Sequence, residues 1–274
     1  MNLLLAAPTV LAASAVAPAS AVAPASADLP TASLLLWTAL PYVAFAVLIV
    51  GLVWRYRFDK FGWSTRSSQM YESRLMRIAS PLFHYGIIAV FFGHLLGLLV
   101  PKAFTDALGV HEHLYHTLTL PLSLVAGAAT LIGFVALVYR RRSSVLVMQR
   151  TTANDKVMFL FLGGAILLGV AASWFASGIF GEGHNYREDV SVWFRSILLF
   201  QPAPEHMAQA PLVFQLHVVA GLLLFAAWPF TRLVHALSAP VQYIARPFVV
   251  YRTRDRYPTG SRAPRRGWEP SRRD

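Results

Sequence analysis

Four histidines lie within long apolar stretches of this sequence. His84 and His94 share one stretch, and His217 and His235 share another. An ionisable side chain at membrane depth is expensive and is usually retained for function. Imidazole can bind a metal and can carry a proton. The four positions therefore predict either paired ligands for a redox metal or a histidine-based path for metal ions or protons.

The direction of the chain predicts which of these histidines meet. If the two stretches cross a membrane in opposite directions, His94 meets His217 near one surface. His84 then meets His235 near the other surface. Along the helix axis, the histidines of the first stretch are about 15 Å apart and those of the second about 27 Å apart. Tilt and a kink at Pro229 must absorb this difference, while about five whole turns place His217 and His235 on one side of a continuous helix.

Paired imidazoles from facing helices are typical ligands of iron in a porphyrin. Two axial histidines complete the coordination of the iron, which favours electron transfer over oxygen binding. The sequence contains no cysteine, which excludes covalent haem attachment and iron–sulfur clusters within these residues. Arg232 precedes His235 by one helical turn and is predicted either to pair with a haem propionate or to reach the membrane surface. Four glycines could make space for a flat macrocycle or allow tight helix packing: Gly86, Gly93, Gly97 and Gly221.

A second polar group precedes the third apolar stretch. His111, His113 and His116 lie close together in the sequence beside Glu112. Three neighbouring histidines could bind a metal ion. At a membrane surface they could instead accept protons from a quinol. A solvated cluster without a function is the third interpretation, and the sequence leaves all three open.

The composition predicts a membrane protein, because 56% of the 274 residues are hydrophobic and only 14% are charged. A helix of about 20 apolar residues crosses a bilayer, and a helix satisfies its own backbone hydrogen bonds there. The predicted fold is therefore all-α, an integral membrane bundle of five transmembrane helices. The predicted spans are approximately Ser33–Trp54, Pro81–Val100, Leu118–Tyr139, Met158–Ile179 and Pro211–Leu237.

The positions of the charges predict the orientation of this bundle. Residues 55–77, 140–156 and 246–274 are rich in Lys and Arg, whereas the opposite loops are mainly acidic. Basic loops stay in the cytoplasm, so the N-terminus is predicted outside and the C-terminus in the cytoplasm. Three parts are expected: residues 1–32 as an Ala/Pro-rich, disordered extension, residues 33–245 as the membrane domain, and residues 246–274 as a basic cytoplasmic tail. Such a tail binds anionic lipid or a protein partner, and no nucleic acid is expected.

Several motifs resemble the gamma subunit of respiratory nitrate reductase. One block contains RSSQM at residues 66–70, LFHYGI at residues 82–87 and FFGHLLG at residues 91–97. A second block contains FQLH at residues 214–217 and PFTRLVHALSAPVQY at residues 229–243. Both histidine spacings and their flanking residues agree with the family pattern. The resemblance extends over most of the chain, from about Ser33 to Arg254.

The resemblance implies a membrane cytochrome b that holds two non-covalent b haems. His94 and His217 would bind the haem near the outer face. His84 and His235 would bind the haem near the cytoplasm. The resemblance also implies a quinol site beside the outer haem, to which Gly93 and His94 contribute.

The implied function is quinol oxidation near the outer face of a bacterial cell membrane, with electrons passed inward through the two haems. An iron–sulfur beta subunit and a molybdenum alpha subunit would receive these electrons and reduce nitrate in the cytoplasm. Menaquinol is the expected donor, and the loop at residues 55–77 and the basic tail are the expected docking surfaces. Where some members of the family use a lysine in the quinol site, this chain has other residues: His111, His113, Tyr115 and His116.

Two other functions are consistent with the same residues. The pair of haems could serve a hydrogenase, a formate dehydrogenase or a heterodisulfide-reductase-like complex, with only the partner changed. Alternatively, the four histidines could belong to a membrane transporter that binds metal ions or relays protons. The presence of haem would distinguish a cytochrome from a transporter. The metal cofactor of the associated subunits would distinguish the possible cytochromes from one another.

Overall fold

The computed structural model describes residues 29–63, 67–68, 71–72, 74–178 and 183–238. The described residues up to Ala236 belong to one compact unit, and Leu237 and Ser238 belong to a second one. Regular structure in the described part of the chain is helical, with no strand. Most of the predicted extension, residues 1–28, and the whole predicted tail lie outside the described residues.

In the part of the chain that the structure describes, five helices are long and apolar enough to cross a membrane, as predicted. The all-α, five-span fold is therefore confirmed. These spans and the short helices between them run in chain order as α1 (Thr31–Phe58), α2 (Met76–Leu99), α3 (Lys102–Ala107), α4 (Glu112–Ser143), α5 (Val145–Gln149), α6 (Ala153–Ala176), α7 (Val190–Leu198), α8 (Pro204–Gln209) and the fifth span (Leu212–Phe230), whose α-helical part is α9 (Leu212–Ala227).

Many apolar side chains of the spans are exposed. Leu160 of α6 is 71% exposed, Val125 of α4 is 68% exposed, and Ile49 of α1 is 61% exposed. In water such surfaces would be unfavourable, whereas in lipid they contact a solvent as apolar as themselves. The exposed faces thus match the membrane environment that the composition predicts.

The five spans of the described residues pack in one continuous series. Helix α2 packs against α4, α4 against α6, α6 against α9, and α9 against α1. Glycines allow α2 and α4 to approach closely, because a Cβ on Gly86 would lie 2.7 Å from the backbone nitrogen of Thr130 and one on Gly133 would lie 2.5 Å from that of Phe83. In the described residues, α2 and α9 make no extensive backbone contact with each other.

The fifth span does not continue as one helix to Leu237. The α-helix ends at Ala227 and becomes a 3-10 turn at Trp228–Phe230. The change occurs at Pro229, which has no N–H to donate to the helix. The kink that the sequence predicted at this proline is therefore confirmed, and the continuous helix is not.

A new helical segment follows the break. Thr231 is extended, with φ −114° and ψ 178°, and a 3-10 helix then runs over Arg232–Ser238. The prediction that His217 and His235 share one side of a continuous helix is therefore wrong. The reorientation at Thr231, and not helix tilt alone, reconciles the unequal spacings of the histidines.

Candidate functional site

The structure brings the four histidines together as two separate pairs. The ring centres of His94 and His217 are 6.0 Å apart, and those of His84 and His235 are 6.2 Å apart. These are the pairs that the opposite chain directions predicted. We refer to the two ends of the bundle as the His94 end and the His84 end.

The Nδ1 atom of each of the four rings lies within hydrogen-bond distance of a backbone carbonyl oxygen. A carbonyl oxygen can only accept a hydrogen bond, so Nδ1 carries the proton and donates it. In the neutral ring the lone pair is then on Nε2, which is the arrangement of histidines that bind metals through Nε2. The acceptors are Ser80 for His84 at 2.7 Å, Val90 for His94 at 2.8 Å, Ala165 for His217 at 3.1 Å, and Arg232 for His235 at 2.6 Å.

The separation within each pair fits a single iron between two imidazoles. Metal–imidazole bonds are about 2 Å long and the bonded nitrogen lies about 1 Å from its ring centre, so two axial rings have centres about 6 Å apart. The observed separations of 6.0 Å and 6.2 Å agree with this value. Neutral nitrogen ligands from two chain segments are also the donors that haem iron accepts. The residues present therefore fit a bis-histidine haem at each end.

Two of the four candidate glycines border open space. A Cβ atom added to Gly93 or to Gly221 would meet no atom of the described residues within 4 Å, beyond its own helix and chain neighbours. Gly93 directly precedes His94, and Gly221 follows His217 by one helical turn on the opposite helix. The open space at both glycines and the lack of extensive contact between α2 and α9 are compatible with a flat group between the two helices.

The other two glycines serve packing. Gly86 lies against Thr130 of α4, and a Cβ on Gly97 would lie 2.7 Å from the hydroxyl of Tyr186. Tight approach by small residues, the alternative considered for all four glycines, is therefore the role of these two. The signal that separates the two classes is which neighbour each glycine faces, and spacing alone does not contain it.

Helix α6 supports His217 from behind. The carbonyl of Ala165 accepts the ring N–H, and Gly169 lies one turn further along α6, where an added Cβ would be 2.9 Å from the ring. Only a residue without a side chain permits this approach. At the other helix, α2 changes to a π-helical turn at Leu95–Leu99 directly after His94, a feature that often occurs at functional sites.

Arg232 has a buried acidic partner that the sequence analysis did not predict. Its Nε donates to Asp155 of α6 at 2.8 Å, and its Nη2 lies 2.5 Å from the other oxygen of that carboxylate. The Asp155 side chain is only 5% exposed. This two-pronged contact is the strong geometry of arginine with a carboxylate. The contact of Arg232 with a haem propionate stays a prediction.

A second buried arginine holds the break in the fifth span. Arg55 at the end of α1 donates to the carbonyl of Pro229 at 2.6 Å and to that of Thr231 at 3.1 Å. It also donates to the carbonyl of Gly62 at 2.8 Å. The carbonyls that lose their helical partners at the proline are thus satisfied by a cation from another helix.

A charged cluster lies at the His94 end, at the start of α4. The Glu112 carboxylate lies 2.8 Å from His116, 3.3 Å from Arg187 and 3.6 Å from Lys102. His111 and His113 are exposed. Across the described ranges, no three His, Asp or Glu side chains form a group that could hold a metal ion. The metal interpretation of this cluster therefore has no support, and His116 with Glu112 is its ordered part.

Two tyrosines connect this cluster with α2. The hydroxyls of Tyr115 and Tyr186 are 3.3 Å apart, and Tyr186 contacts Gly97, one turn from His94. Burial raises the pKa of Tyr186, and its hydrogen bond with Tyr115 adds to that increase. Tyr186 therefore stays protonated and acts as a neutral hydrogen-bonding group. Arg187 lies over the Tyr115 ring at 3.9 Å and fixes this arrangement.

The fold and these side chains define a class: a membrane-spanning helical protein in which two separate histidine pairs connect the second span with the fifth span and with the 3-10 segment that follows it. A family model described as nitrate reductase gamma subunit matches residues 33–254. Because that match covers most of the sequence, this chain belongs to the nitrate reductase gamma subunit family.

Named relatives agree with this assignment. The chain is 54% identical over 234 residues to the nitrate reductase-like protein NarX of Mycobacterium tuberculosis, across 85% of this chain and 36% of that protein. It is 40% identical over 220 residues to the nitrate reductase gamma chain of Bacillus subtilis, across 80% and 98%. It is 35% identical over 215 residues to the respiratory nitrate reductase 2 gamma chain of Escherichia coli, across 78% and 94%. The chain thus spans about a third of the length of the mycobacterial protein and nearly all of the two gamma chains.

Proposed function

We propose that this chain is the membrane cytochrome b subunit of a respiratory nitrate reductase, and that it oxidises quinol and delivers the electrons to partner subunits. The proposal rests on one observation: the structure contains two histidine pairs, and in each pair the ring centres have the separation expected across one iron. Two such sites at opposite ends of the bundle suit electron transfer across a membrane.

The chain would hold one b haem between His94 and His217 and another between His84 and His235. When bound, the two haems supply one-electron redox centres without an open iron position. The backbone carbonyls that accept from Nδ1 keep each ring oriented and its Nε2 directed as a ligand. Gly93 and Gly221 keep the space between α2 and α9 open.

Quinol oxidation is proposed at the His94 end, beside Gly93. Oxidation of a quinol releases two electrons and two protons, so a proton acceptor must be near. His116 is the candidate, because an imidazole can accept a proton and its Nε2 lies 2.8 Å from the Glu112 carboxylate. The Tyr115 and Tyr186 hydroxyls connect this pair with α2. This assignment gives the cluster the proton-accepting role that the sequence had left open.

The His84 end is proposed to face the cytoplasm of the bacterial cell, where the beta and alpha subunits would dock. The loops at this end carry the basic residues that the positive-inside rule places in the cytoplasm. Arg57, Arg74 and Arg77 are exposed there and could contact acidic surfaces of a partner or anionic lipid. The iron–sulfur beta subunit would receive the electrons, the molybdenum alpha subunit would reduce nitrate, and menaquinol is the proposed donor.

Purification of the chain with its native partners tests the proposal. A pyridine haemochrome assay should give two b haems per chain, and the complex should contain molybdenum and oxidise quinol only when nitrate is present. A haem-free but active complex would support the transporter instead. Two haems with nickel, or with formate-dependent activity, would assign the same subunit to a different oxidoreductase.

A further inference from the structure

The two ends of the bundle differ in how the ligand from the fifth span is supported. His217 lies within the regular helix α9, whereas His235 lies in the 3-10 segment Arg232–Ser238 beyond an extended residue. A short 3-10 segment has weaker hydrogen-bond geometry than an α-helix. The position of His235 must therefore be fixed from outside its own segment.

Helix α6 supplies most of that support from the first turn of the helix. The amide of Asn154 donates to the carbonyl of Phe230 at 2.6 Å. The carboxylate of the next residue, Asp155, makes a bidentate contact with the guanidinium of Arg232. Asp155 is itself fixed by a capping box at the start of α6, in which the backbone N–H of Thr152 donates to the Asp155 carboxylate and the backbone N–H of Asp155 donates to the Thr152 hydroxyl.

Asp155 is connected to the imidazole of His235 through a single residue, Arg232. Asp155 holds the side chain of Arg232, and the carbonyl of Arg232 accepts the Nδ1 proton of His235 at 2.6 Å. A displacement of Arg232 would therefore rotate the ring that provides Nε2. Arg141 also lies 3.8 Å from the Asp155 carboxylate, so loss of this single negative charge would leave two largely buried arginines to repel each other.

We infer that Asp155 is a positioning residue for His235, acting through Arg232, and that it sets the ligand geometry of the haem at the His84 end only. The inference rests on the proposed function, because it requires a haem between His84 and His235. It predicts a selective effect, since His94 and His217 receive no hydrogen bond from this cluster.

Two substitutions test whether Asp155 acts on His235 by positioning Arg232 or only by its negative charge. Asp155→Asn removes the charge and keeps the size of the side chain. Arg232→Lys keeps the positive charge but loses the two-pronged contact with the carboxylate. If Asp155 positions His235, both variants should shift the electron paramagnetic resonance signal of one haem and leave the other haem unchanged. A matched control is Glu72→Gln, which breaks a different arginine–carboxylate contact, with Arg140, and should change neither signal.

The measurement uses the complete complex, with the unchanged haem as an internal control of folding. If Asp155→Asn changes only a midpoint potential and Arg232→Lys changes nothing, Asp155 acts through charge and the inference is overturned. It is equally overturned if both variants lose both haems, because the residues would then be general requirements of the fold. Absence of haem from the unmodified complex would instead contradict the proposed function, so the two failures are distinguishable.

Discussion

The two histidine pairs have almost the same internal separation, but the protein builds them by different means. At the His94 end, both histidines lie in spanning helices, and Gly169 allows α6 to support the ring of His217 directly. At the His84 end, one histidine lies beyond a broken helix, and buried charges from α1 and α6 hold that segment. The first site depends on close packing of small residues, and the second on buried ion pairs and charged hydrogen bonds.

This difference indicates which kinds of substitution each end tolerates. Overpacking should damage the His94 end, because the close contact of α6 with His217 at Gly169 leaves no room for an additional side chain. Loss of a buried charge should damage the His84 end, because the remaining partner is left uncompensated in an apolar environment.

The largest effect is expected from the ligands themselves. His94→Leu and His84→Leu should each remove one haem and leave the other, because leucine cannot bind iron. Both should abolish quinol-dependent nitrate reduction, and the haem content per chain is measured by the haemochrome assay. The exposed His113 provides the control, and His113→Leu should retain both haems. Retention of both haems in His94→Leu would show that the pairing is incorrect.

A smaller effect is expected at the break in the fifth span. Arg55→Met removes the donor to the carbonyls of Pro229 and Thr231 and should lower the free energy of unfolding by about 3–5 kcal/mol. Thermal unfolding of the detergent-solubilised complex measures this change. The haem at the His84 end should be lost first on heating. The control is Arg57→Met at an exposed position of the same helix, and equal stability of the two variants would contradict the prediction.

Gly169→Ala should act at the opposite end. The added Cβ would lie 2.9 Å from the ring of His217, and such overpacking typically costs about 1–3 kcal/mol. Titration of haem binding should show weaker retention at the His94 end alone. In Gly164→Ala, on the same helix, the new Cβ meets no described atom within 4 Å. If both alanine variants retain haem equally, close packing is not what supports His217.

The smallest effect is expected outside both histidine pairs, at Glu72. The backbone N–H of Leu75 and the Arg140 guanidinium lower the pKa of this carboxyl below its ordinary value, although partial desolvation opposes them. The ionised Glu72 carboxylate therefore stabilises the folded protein fully above the ordinary pKa of the group, and this stabilisation is lost as the pH falls through the lowered pKa. The midpoint of thermal unfolding should fall on acidification more in the parent protein than in Glu72→Gln. Parallel pH profiles would refute this.

The sequence predicts the spans and the histidine pairs because both follow from local patterns. Hydropathy identifies each helix, and alternating direction decides which histidine meets which. The kink at Pro229 is likewise local, because proline lacks an N–H wherever it occurs. The extended Thr231 is not local, since it depends on Arg55 reaching the freed carbonyls from a distant helix.

The partners of Arg232 and the roles of the glycines could not be predicted for a related reason. Asp155 and Arg232 are 77 residues apart, and their contact requires knowledge that α6 packs beside the fifth span. Gly93 and Gly97 look alike in the sequence, but only the second faces Tyr186. Such facts depend on the order in which helices pack, which hydropathy and spacing do not encode.

The main-chain acceptors of the four imidazoles have an evolutionary consequence. A carbonyl oxygen is present whatever amino acid occupies the position, so mutation of Ser80, Val90 or Ala165 exchanges the side chain and preserves the acceptor. The acceptor at these three positions therefore persists through sequence drift as long as the backbone path is kept, whereas Gly169 and Asp155 must themselves be retained.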